Sequence, residues 1–191
     1  MIPRLVIATK NAGKREEMTA ILEEMGVVDE VVTGLDWPDV EEVGETLEQN
    51  ALLKARAVVE STGLPALADD TGLEVDALGG APGVHTARYA GPEATYDDNN
   101  RKLLQELEGV ANRRARFVTV VALVFPDGEY VTAEGSVEGR IAEEPRGERG
   151  FGYDPVFEID GRTYAEMSLE EKNRFSHRAR ALTALGKALG L

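Results

Sequence analysis

Near the start of the chain stands Leu5-Val6-Ile7-Ala8-Thr9-Lys10-Asn11-Ala12-Gly13-Lys14, a short apolar run followed by a polar loop that contains a glycine. The apolar run predicts a buried strand. From Met18 to Met25 the apolar side chains recur at helical spacing, and Gly26 is placed to end that helix. A strand, a loop and a helix in this order are typical of an α/β fold.

The rest of the chain continues the alternation and then changes to a hairpin. Thr46 and Gln49 have the spacing of a capping box, which predicts the start of a helix. Residues 117–125 are almost all apolar, so they predict a strand buried on both faces, with the turn at 126–128 leading to its partner. The other predicted elements are strands at 27–32, 65–68 and 73–78, helices at 46–61, 94–107 and 176–189, and loops at 34–44 and 79–92. The predicted fold is α/β with a mixed sheet, in a single domain over residues 1–191.

Composition excludes several functional classes. The chain has 191 residues, a formal net charge of −14 and no cysteine. The acidity disfavours a general nucleic-acid or anionic-membrane surface, and the missing cysteine excludes disulfides, thiolate metal sites and a cysteine nucleophile. No signal-peptide pattern and no bilayer-length apolar run are visible, so we expect a soluble, cytoplasmic protein.

Two adjacent carboxylates, Asp69 and Asp70, follow an apolar run and precede Thr71-Gly72. At a strand end such a pair can hold a divalent cation or take a proton from water. The same pattern is typical of a solvated turn. Glu41 and Glu42, in the acidic loop before the capped helix, would add oxygen ligands for Mg²⁺, or they belong to an ordinary acidic surface.

Basic residues at two predicted helix starts indicate an anionic ligand. Lys14 lies in the first turn of one helix, and His177 and Arg178 lie in the first turn of another, with Ser176 as its predicted cap. A cation there opposes the helix dipole, and a bound polyphosphate would reverse that preference. Lys54 could reach a phosphate, one of the two aspartates, or only solvent.

Aromatic residues around a glycine, Phe151-Gly152-Tyr153-Asp154, suggest a slot for a flat ring. Glycine lets a ring approach the backbone closely, and Phe151 is a candidate for stacking on a base. Lys172 could then contact the edge of that base. Core packing is the alternative, and we favour it for Tyr153.

In order along the chain, these segments resemble the inosine triphosphate pyrophosphatase family, also described as Ham1-like non-standard purine NTP pyrophosphatases. The resemblance covers nearly the whole chain, and one departure is Val43, where a small polar residue is expected. The segments that carry it are residues 5–14, 42–44, 50–55, 68–73, 79–83, 87–89, 150–157 and 176–178.

What the resemblance implies is an elongated mixed α/β fold with two lobes around a central cleft, acting as a homodimer. The implied reaction is Mg²⁺-dependent cleavage of ITP, dITP and XTP to a monophosphate and pyrophosphate. Asp70 is the implied proton acceptor and a metal ligand, Glu42 is the other ligand, and Asp69 and Lys54 support catalysis. The implied substrate-binding residues are Thr9, Lys10, Asn11, Ala12, Gly13, Lys14, Thr71, Phe151, Gly152, Tyr153, Asp154, Lys172, His177 and Arg178.

Three other functions are compatible with parts of the sequence. Maf-like nucleotide pyrophosphatases share a related architecture and act on pyrimidine nucleotides, but the Phe151 segment and Ser176-His177-Arg178 argue against them. A non-catalytic nucleotide sensor would not need a water-activating carboxylate. A structural domain would use these segments only as loops and helix caps.

Overall fold

A computed structural model describes residues 1–190; Leu191, the last residue of the predicted domain, lies outside them. The strands are β1 (Ile2–Ile7), β2 (Val28–Val32), β3 (Ala66–Val75), β4 (Pro82–Gly83), β5 (Arg114–Val124), β6 (Tyr130–Ile141), β7 (Phe157–Ile159) and β8 (Arg162–Thr163). The helices are α1 (Ala12–Met25), α2 (Leu47–Thr62), α3 (Tyr96–Glu106), α4 (Leu169–Asn173) and α5 (His177–Ala188).

The sheet is mixed. Its hydrogen-bonded order is β2-β1-β3-β5-β6-β7-β8, and β4 pairs with β3. The β1 strand is parallel to β2 and β3, whereas the β3–β4, β6–β7 and β7–β8 pairs are antiparallel. The predicted α/β class with a mixed sheet is therefore confirmed. Within residues 1–190 no helix combines the length and apolar character needed to cross a bilayer.

The chain forms two compact units. The first comprises residues 1–70, 119–135 and the C-terminal residues from 177, and the second comprises 71–118 and 136–176. Strands β3, β5 and β6 contribute residues to both units. The single domain expected over residues 1–191 stays a prediction.

In the first unit, helices cover both faces of the strands. Leu5 and Ile7 of β1 belong to an apolar cluster with residues of α1 and α5. Val6 and Ala8 belong to a second cluster with residues of α2. Side chains alternate between the faces of a strand, so a continuous apolar run lets β1 be buried on both faces.

The core of the second unit is rich in aromatic rings. The Phe117 and Phe157 ring centroids lie 4.5 Å apart, and those of Phe157 and Tyr164 lie 5.2 Å apart. Leu103 of α3 and Val137 of β6 pack in the same buried cluster. The short elements β7, β8 and α4 were not predicted from sequence, because two to five residues give no readable periodicity.

The structure corrects two local predictions. The strands predicted at 65–68 and 73–78 are one strand, β3, which runs through Asp69 and Asp70, so the aspartates do not lie at a strand end or in a turn. The expected capping box at Thr46 is only half formed. Thr46 accepts from Gln49 N, but the Gln49 side chain accepts from Glu45 N rather than from Thr46 N.

Gly186 offers a test of the packing between α1 and α5. A Cβ at this helical position would meet only Met25 Cε, at 2.7 Å, the mobile end of a flexible side chain. We expect Gly186→Ala to raise the free energy of unfolding by about 0.5–1 kcal/mol, because alanine loses less backbone entropy in a helix. Urea unfolding monitored by circular dichroism measures the change.

Gly63→Ala is the matched control for that substitution. Gly63 ends α2 with a φ of 67°, where a side chain is strained. We expect Gly63→Ala to lower the free energy of unfolding. Destabilisation by Gly186→Ala would mean that Met25 cannot move aside.

Candidate active site

Strand alternation sends the two adjacent aspartates to opposite faces of β3. Asp69 lies two residues after Leu67, which packs in the cluster with α1 and α5. Asp70 follows the alternation of Ala66 and Ala68, which pack in the cluster with α2. Because successive side chains point to opposite faces, the two neighbours meet different helices and different partners.

Asp69 is surrounded by cations. Arg178 donates from Nε and Nη2 to Asp69 Oδ2 at 3.1 and 2.9 Å, and Lys14 Nζ lies 3.2 Å from the same oxygen. Burial opposes ionisation, but the charges of Lys14 and Arg178 outweigh it and hold the Asp69 pKa well below its usual range. Arg178 also donates to Glu17, so two buried carboxylates share one guanidinium. Asp69 is therefore a permanent anion.

Asp70 has a different environment. Its carboxylate accepts from Asn50 Nδ2 at 3.1 Å and from Lys54 Nζ at 3.0 Å. Burial, reinforced by the negative charge of Glu42, raises the Asp70 pKa despite the opposing effect of Lys54. Burial lowers the Lys54 pKa, but Asp70, Asp69 and Glu42 outweigh it, so the net shift is upward and Lys54 stays protonated.

The pKa values of the two aspartates are thus shifted in opposite directions. The Asp69 pKa is lowered and the Asp70 pKa is raised, although the residues are neighbours in one strand. A carboxylate with a raised pKa is a better proton acceptor near neutral pH, whereas its strongly acidic neighbour is suited to a fixed structural charge. Of the two residues, Asp70 is therefore the stronger proton acceptor.

The carboxylates of Glu42 and Asp70 converge on one cation. Lys54 Nζ lies 2.7 Å from Glu42 Oε1 and 3.0 Å from Asp70 Oδ1. Hard oxygen donors that already bracket a positive charge fit a divalent ion such as Mg²⁺, which needs only one or two protein carboxylates when substrate phosphates complete its shell. Within residues 1–190 no group of three His, Cys, Asp or Glu side chains is arranged to hold a metal.

The start of α1 has the predicted form of an anion site. Asn11 caps the helix by accepting from Lys14 N at 3.0 Å, and Thr9 Oγ1 accepts from Asn11 N. Ala12 and Gly13 form the first turn with Lys14, and no acidic residue lies there. Lys10 instead points to Asp39 at the exposed surface, 2.5 Å away.

In the second unit, Asp154 organises the predicted ring slot. Its Oδ2 accepts from Phe151 N at 2.9 Å and from Lys172 Nζ at 2.6 Å. Lys172 Nζ also lies 5.1 Å from the Phe151 ring centroid, within cation–π range. Gly150 has a φ of 75°, and a Cβ there would overlap the Asp154 carboxylate, so this turn requires glycine. A ring and an ammonium group are therefore held together.

The structure also gives the locations of three other residues that were predicted to bind substrate. Tyr153 is buried in the aromatic core and donates to Thr86 O at 2.9 Å, in agreement with core packing. His177 is the first residue of α5 and is buried next to Arg178. Thr71 follows Asp70 in β3 and is half-buried. Their roles toward a substrate stay predictions.

Three residues that position the site were not assigned from sequence. Glu17 lies on α1 three residues after Lys14. It is buried and accepts a hydrogen bond from Arg178. Asn50 is buried. Its Oδ1 accepts from Gly44 N at 2.8 Å, and its Nδ2 donates to Asp70. Its spacing of four from Lys54 was the available signal, because the two share a helix face.

Gly135 of β6 is the third of these residues. A Cβ there would overlap Ala181 N and His177 O, so β6 and the first turns of α5 approach as closely as backbones allow. This approach fixes where α5, and with it Arg178, begins. A glycine inside a predicted strand can signal such a close approach, but it does not tell which element approaches.

Comparisons with known proteins agree with the predicted resemblance. The model of the Ham1 family matches residues 5–188. A dITP/XTP pyrophosphatase of Symbiobacterium thermophilum is 55% identical over 184 residues, 94% of this chain and 91% of that protein. The dITP/XTP pyrophosphatase of Bacillus licheniformis is 50% identical over 190 residues, 97% of each chain. The structure of a HAM1 protein from Coxiella burnetii superposes with a TM-score of 0.86 at 42% identity, covering 99% of both chains.

Proposed function

The chain belongs to the Ham1 family, and on that premise we propose that it is a nucleoside triphosphate pyrophosphatase acting on dITP, XTP and ITP. Its products would be the nucleoside monophosphate and pyrophosphate. Such a reaction removes deaminated purine nucleotides before they enter DNA or RNA. The observation that carries the proposal is the arrangement of charges around β3: Asp70 and Glu42 converge on Lys54, and Asp69 next to Asp70 binds Lys14 at the start of α1.

In the proposed reaction, Asp70 orients a water molecule and accepts its proton as the oxygen attacks phosphorus at the α–β anhydride. The bond to the bridging oxygen breaks, and pyrophosphate leaves. Asn50 and Lys54 hold the Asp70 carboxylate from two sides, which fixes the direction of its lone pairs. Such general base catalysis contributes about 10²–10⁴-fold in rate.

The cationic side chains near the two aspartates are proposed to bind the phosphates of the substrate. Lys14, Lys54 and the N-terminal amides of α1 supply positive charge where an anion binds at a helix start. Glu42 and Asp70 are the residues that would hold Mg²⁺, and the contact of Glu42 with Lys54 favours it over Glu41. When bound, Mg²⁺ supplies charge neutralisation at the substrate phosphates.

A substrate panel tests the proposal. Pyrophosphate release is measured from ITP, dITP, XTP, GTP, ATP and UTP, each with and without Mg²⁺. We expect Mg²⁺-dependent release from the three deaminated purines and little from the others. Release from UTP but not from ITP would place the protein with pyrimidine nucleotide pyrophosphatases, and no release from any substrate would refute an enzymatic function.

Selectivity for the base is assigned to Lys172. Its buried ammonium group, held by Asp154, can donate to the 6-oxo group of hypoxanthine or xanthine but not to the 6-amino group of adenine. His177 and Arg178 were the other predicted donors, but the guanidinium of Arg178 is bound to Asp69 and Glu17.

Substitution of Lys172 tests this assignment. We expect Lys172→Ala to lower the ratio of kcat/KM for ITP to that for ATP by about 10–100-fold, the worth of one charged hydrogen bond. The ratio is measured by competition between the two nucleotides, so it does not depend on the amount of folded enzyme. Lys187→Ala, an exposed lysine on α5, is the control. An unchanged ratio in Lys172→Ala would refute the role.

Homodimer assembly and a cytoplasmic location, both expected from the family resemblance and the sequence, are part of the same proposal. Light scattering coupled to size exclusion measures the mass in solution against the 20.7 kDa of one chain. A single peak at the mass of one chain, at micromolar concentration, would refute the dimer.

A further inference from the structure

We propose that Tyr96, the first residue of α3, is a second aromatic contact for the purine base, beside Phe151. This inference rests on the proposed function, because it names a binding residue of the same slot. Its observation is an exposed ring next to that slot: Tyr96 is 46% exposed, and its ring centroid lies 6.4 Å from that of Phe151 with the planes inclined by 42°.

The rings of Tyr96 and Phe151 are neighbours and are inclined to each other. Aromatic pairs attract at centroid distances of about 4.5–7 Å in offset or inclined arrangements. The two rings are already in contact, so a base that stacks on Phe151 would meet Tyr96 at the side of the stack. A single exposed aromatic ring is not unusual, but Tyr96 lies next to a ring that the proposed function assigns to the base, where it can bury apolar area when a ligand arrives.

The start of α3 holds Tyr96 in a defined position. Thr95 and Asp98 form a complete capping box, with Thr95 Oγ1 accepting from Asp98 N at 3.2 Å and Asp98 Oδ2 accepting from Thr95 N at 3.0 Å. The first helical residue is thus fixed before any ligand binds. A preorganised ring loses little freedom on binding a base.

Asn100 links α3 to the Phe151 turn. It is buried, lies one turn after Tyr96 on the same helix face, and donates from Nδ2 to Gly152 O at 3.0 Å. Its Oδ1 is buried without a hydrogen-bond partner among residues 1–190. A half-satisfied amide is unusual in a core unless its position serves another purpose. We assign Asn100 as a positioning residue that keeps the two rings in register.

Lys172 adds a cationic donor next to the Phe151 ring. Its Nζ lies 5.1 Å from the Phe151 centroid, and the Tyr96 centroid lies 6.4 Å from the same ring, so a cationic donor and a second ring both lie next to Phe151. Rings attract the face of any base, whereas the ammonium group reads its edge. Tyr96 is therefore expected to strengthen binding of every purine nucleotide and to leave the choice among purines unchanged.

Binding is tested apart from turnover, in protein that carries Asp70→Asn. Calorimetry measures the Kd of ITP and the Kd of tripolyphosphate, which has no base. We expect Tyr96→Ala to raise the Kd of ITP about tenfold, equivalent to about 1.4 kcal/mol, and to leave that of tripolyphosphate unchanged. Tyr96→Phe should bind ITP like the parent, because the ring is kept.

The control is Tyr130→Ala, which removes a ring of similar exposure, 48%, in the other unit. A second variant, Asn100→Ala, is expected to weaken ITP binding several-fold, again without affecting tripolyphosphate. An ITP Kd within twofold of the parent in Tyr96→Ala would overturn the inference. So would a parallel loss of tripolyphosphate binding, which would indicate a general structural defect.

The wild-type protein separates this inference from the proposed function. If it releases no pyrophosphate from ITP, while ITP binding still depends on Tyr96, the proposed reaction fails and the aromatic contact stands. If ITP is hydrolysed and its Kd does not depend on Tyr96, the reaction stands and the contact fails.

Discussion

Replacement of Asp70 by asparagine is expected to lower the rate of pyrophosphate release from ITP by about 10²–10⁴-fold, because an amide cannot accept a proton from water. The substitution keeps the shape of the side chain. Lys54 keeps Glu42 as an ion-pair partner, and Asn50 can still donate to the amide oxygen of the new side chain. Folding is therefore expected to be retained, with a Tm that does not fall by more than a few degrees.

Steady-state kinetics with a coupled pyrophosphate assay measure this loss, and circular dichroism measures the Tm of the same samples. Asp29→Asn is the control, since Asp29 is an exposed carboxylate on β2. Asp69→Asn provides the contrast: it removes the partner of Arg178 and Lys14, so its main expected effect is on stability. If Asp69→Asn abolished turnover in a folded protein while Asp70→Asn remained active, the assignment of the base would be reversed.

Local elements of the first unit were predictable because one periodic signal defined each of them. The β1 strand contains the apolar run Leu5-Val6-Ile7, and α1 has an apolar stripe that ends at a glycine with a φ of 62°. The start of α2 was predicted from Thr46, although its Gln49 bonds one residue earlier than a capping box requires. Caps and stripes depend on neighbours in sequence, so they can be read without the fold.

Asp69 and Asp70 show where such reading fails. The sequence Asp-Asp-Thr-Gly has the composition of a turn, and strand structure there depends on cations that lie far away in sequence. Arg178 is 109 positions from Asp69, and Lys54 is 16 positions from Asp70. Only the packed sheet brings these charges together. The residues alone predicted an acidic site and left the roles of its two carboxylates open, and the family resemblance implied Asp70 as the base.

Glu17 and Gly135 illustrate the same limit for supporting residues. One acid within a helix is compatible with any surface position, and one glycine within a strand can mark a close contact without telling which element makes it. The structural role of each residue depends on its contact with α5, a helix that begins at residue 177. Residues that act through a distant partner give no local pattern. The resemblance to a known family supplied the residues that are expected to contact substrate, and it did not supply those that hold them.

Substitution of Arg178 by methionine is expected to lower the free energy of unfolding by about 3–5 kcal/mol, because it leaves two buried carboxylates without their cation. Arg178 is 1% exposed and binds both Asp69 and Glu17. For a chain of this length, such a loss corresponds to a decrease in Tm of roughly 6–20 °C. Urea unfolding, followed by circular dichroism and by Trp37 fluorescence, measures the change.

Arg174→Met is the matched control, since the Arg174 side chain is 70% exposed and pairs only with Glu170 on the helix surface. Surface pairs of this kind contribute about 0–1 kcal/mol, so little change is expected. The double variant Glu17→Gln with Arg178→Met should recover part of the stability, because it removes one of the stranded charges. A stable Arg178→Met protein that bound ITP poorly would instead mean that the guanidinium leaves Asp69 to contact the nucleotide, as the family resemblance first implied. The buried ion network favours the structural role, in which Arg178 acts on the substrate only through Asp69 and Lys14.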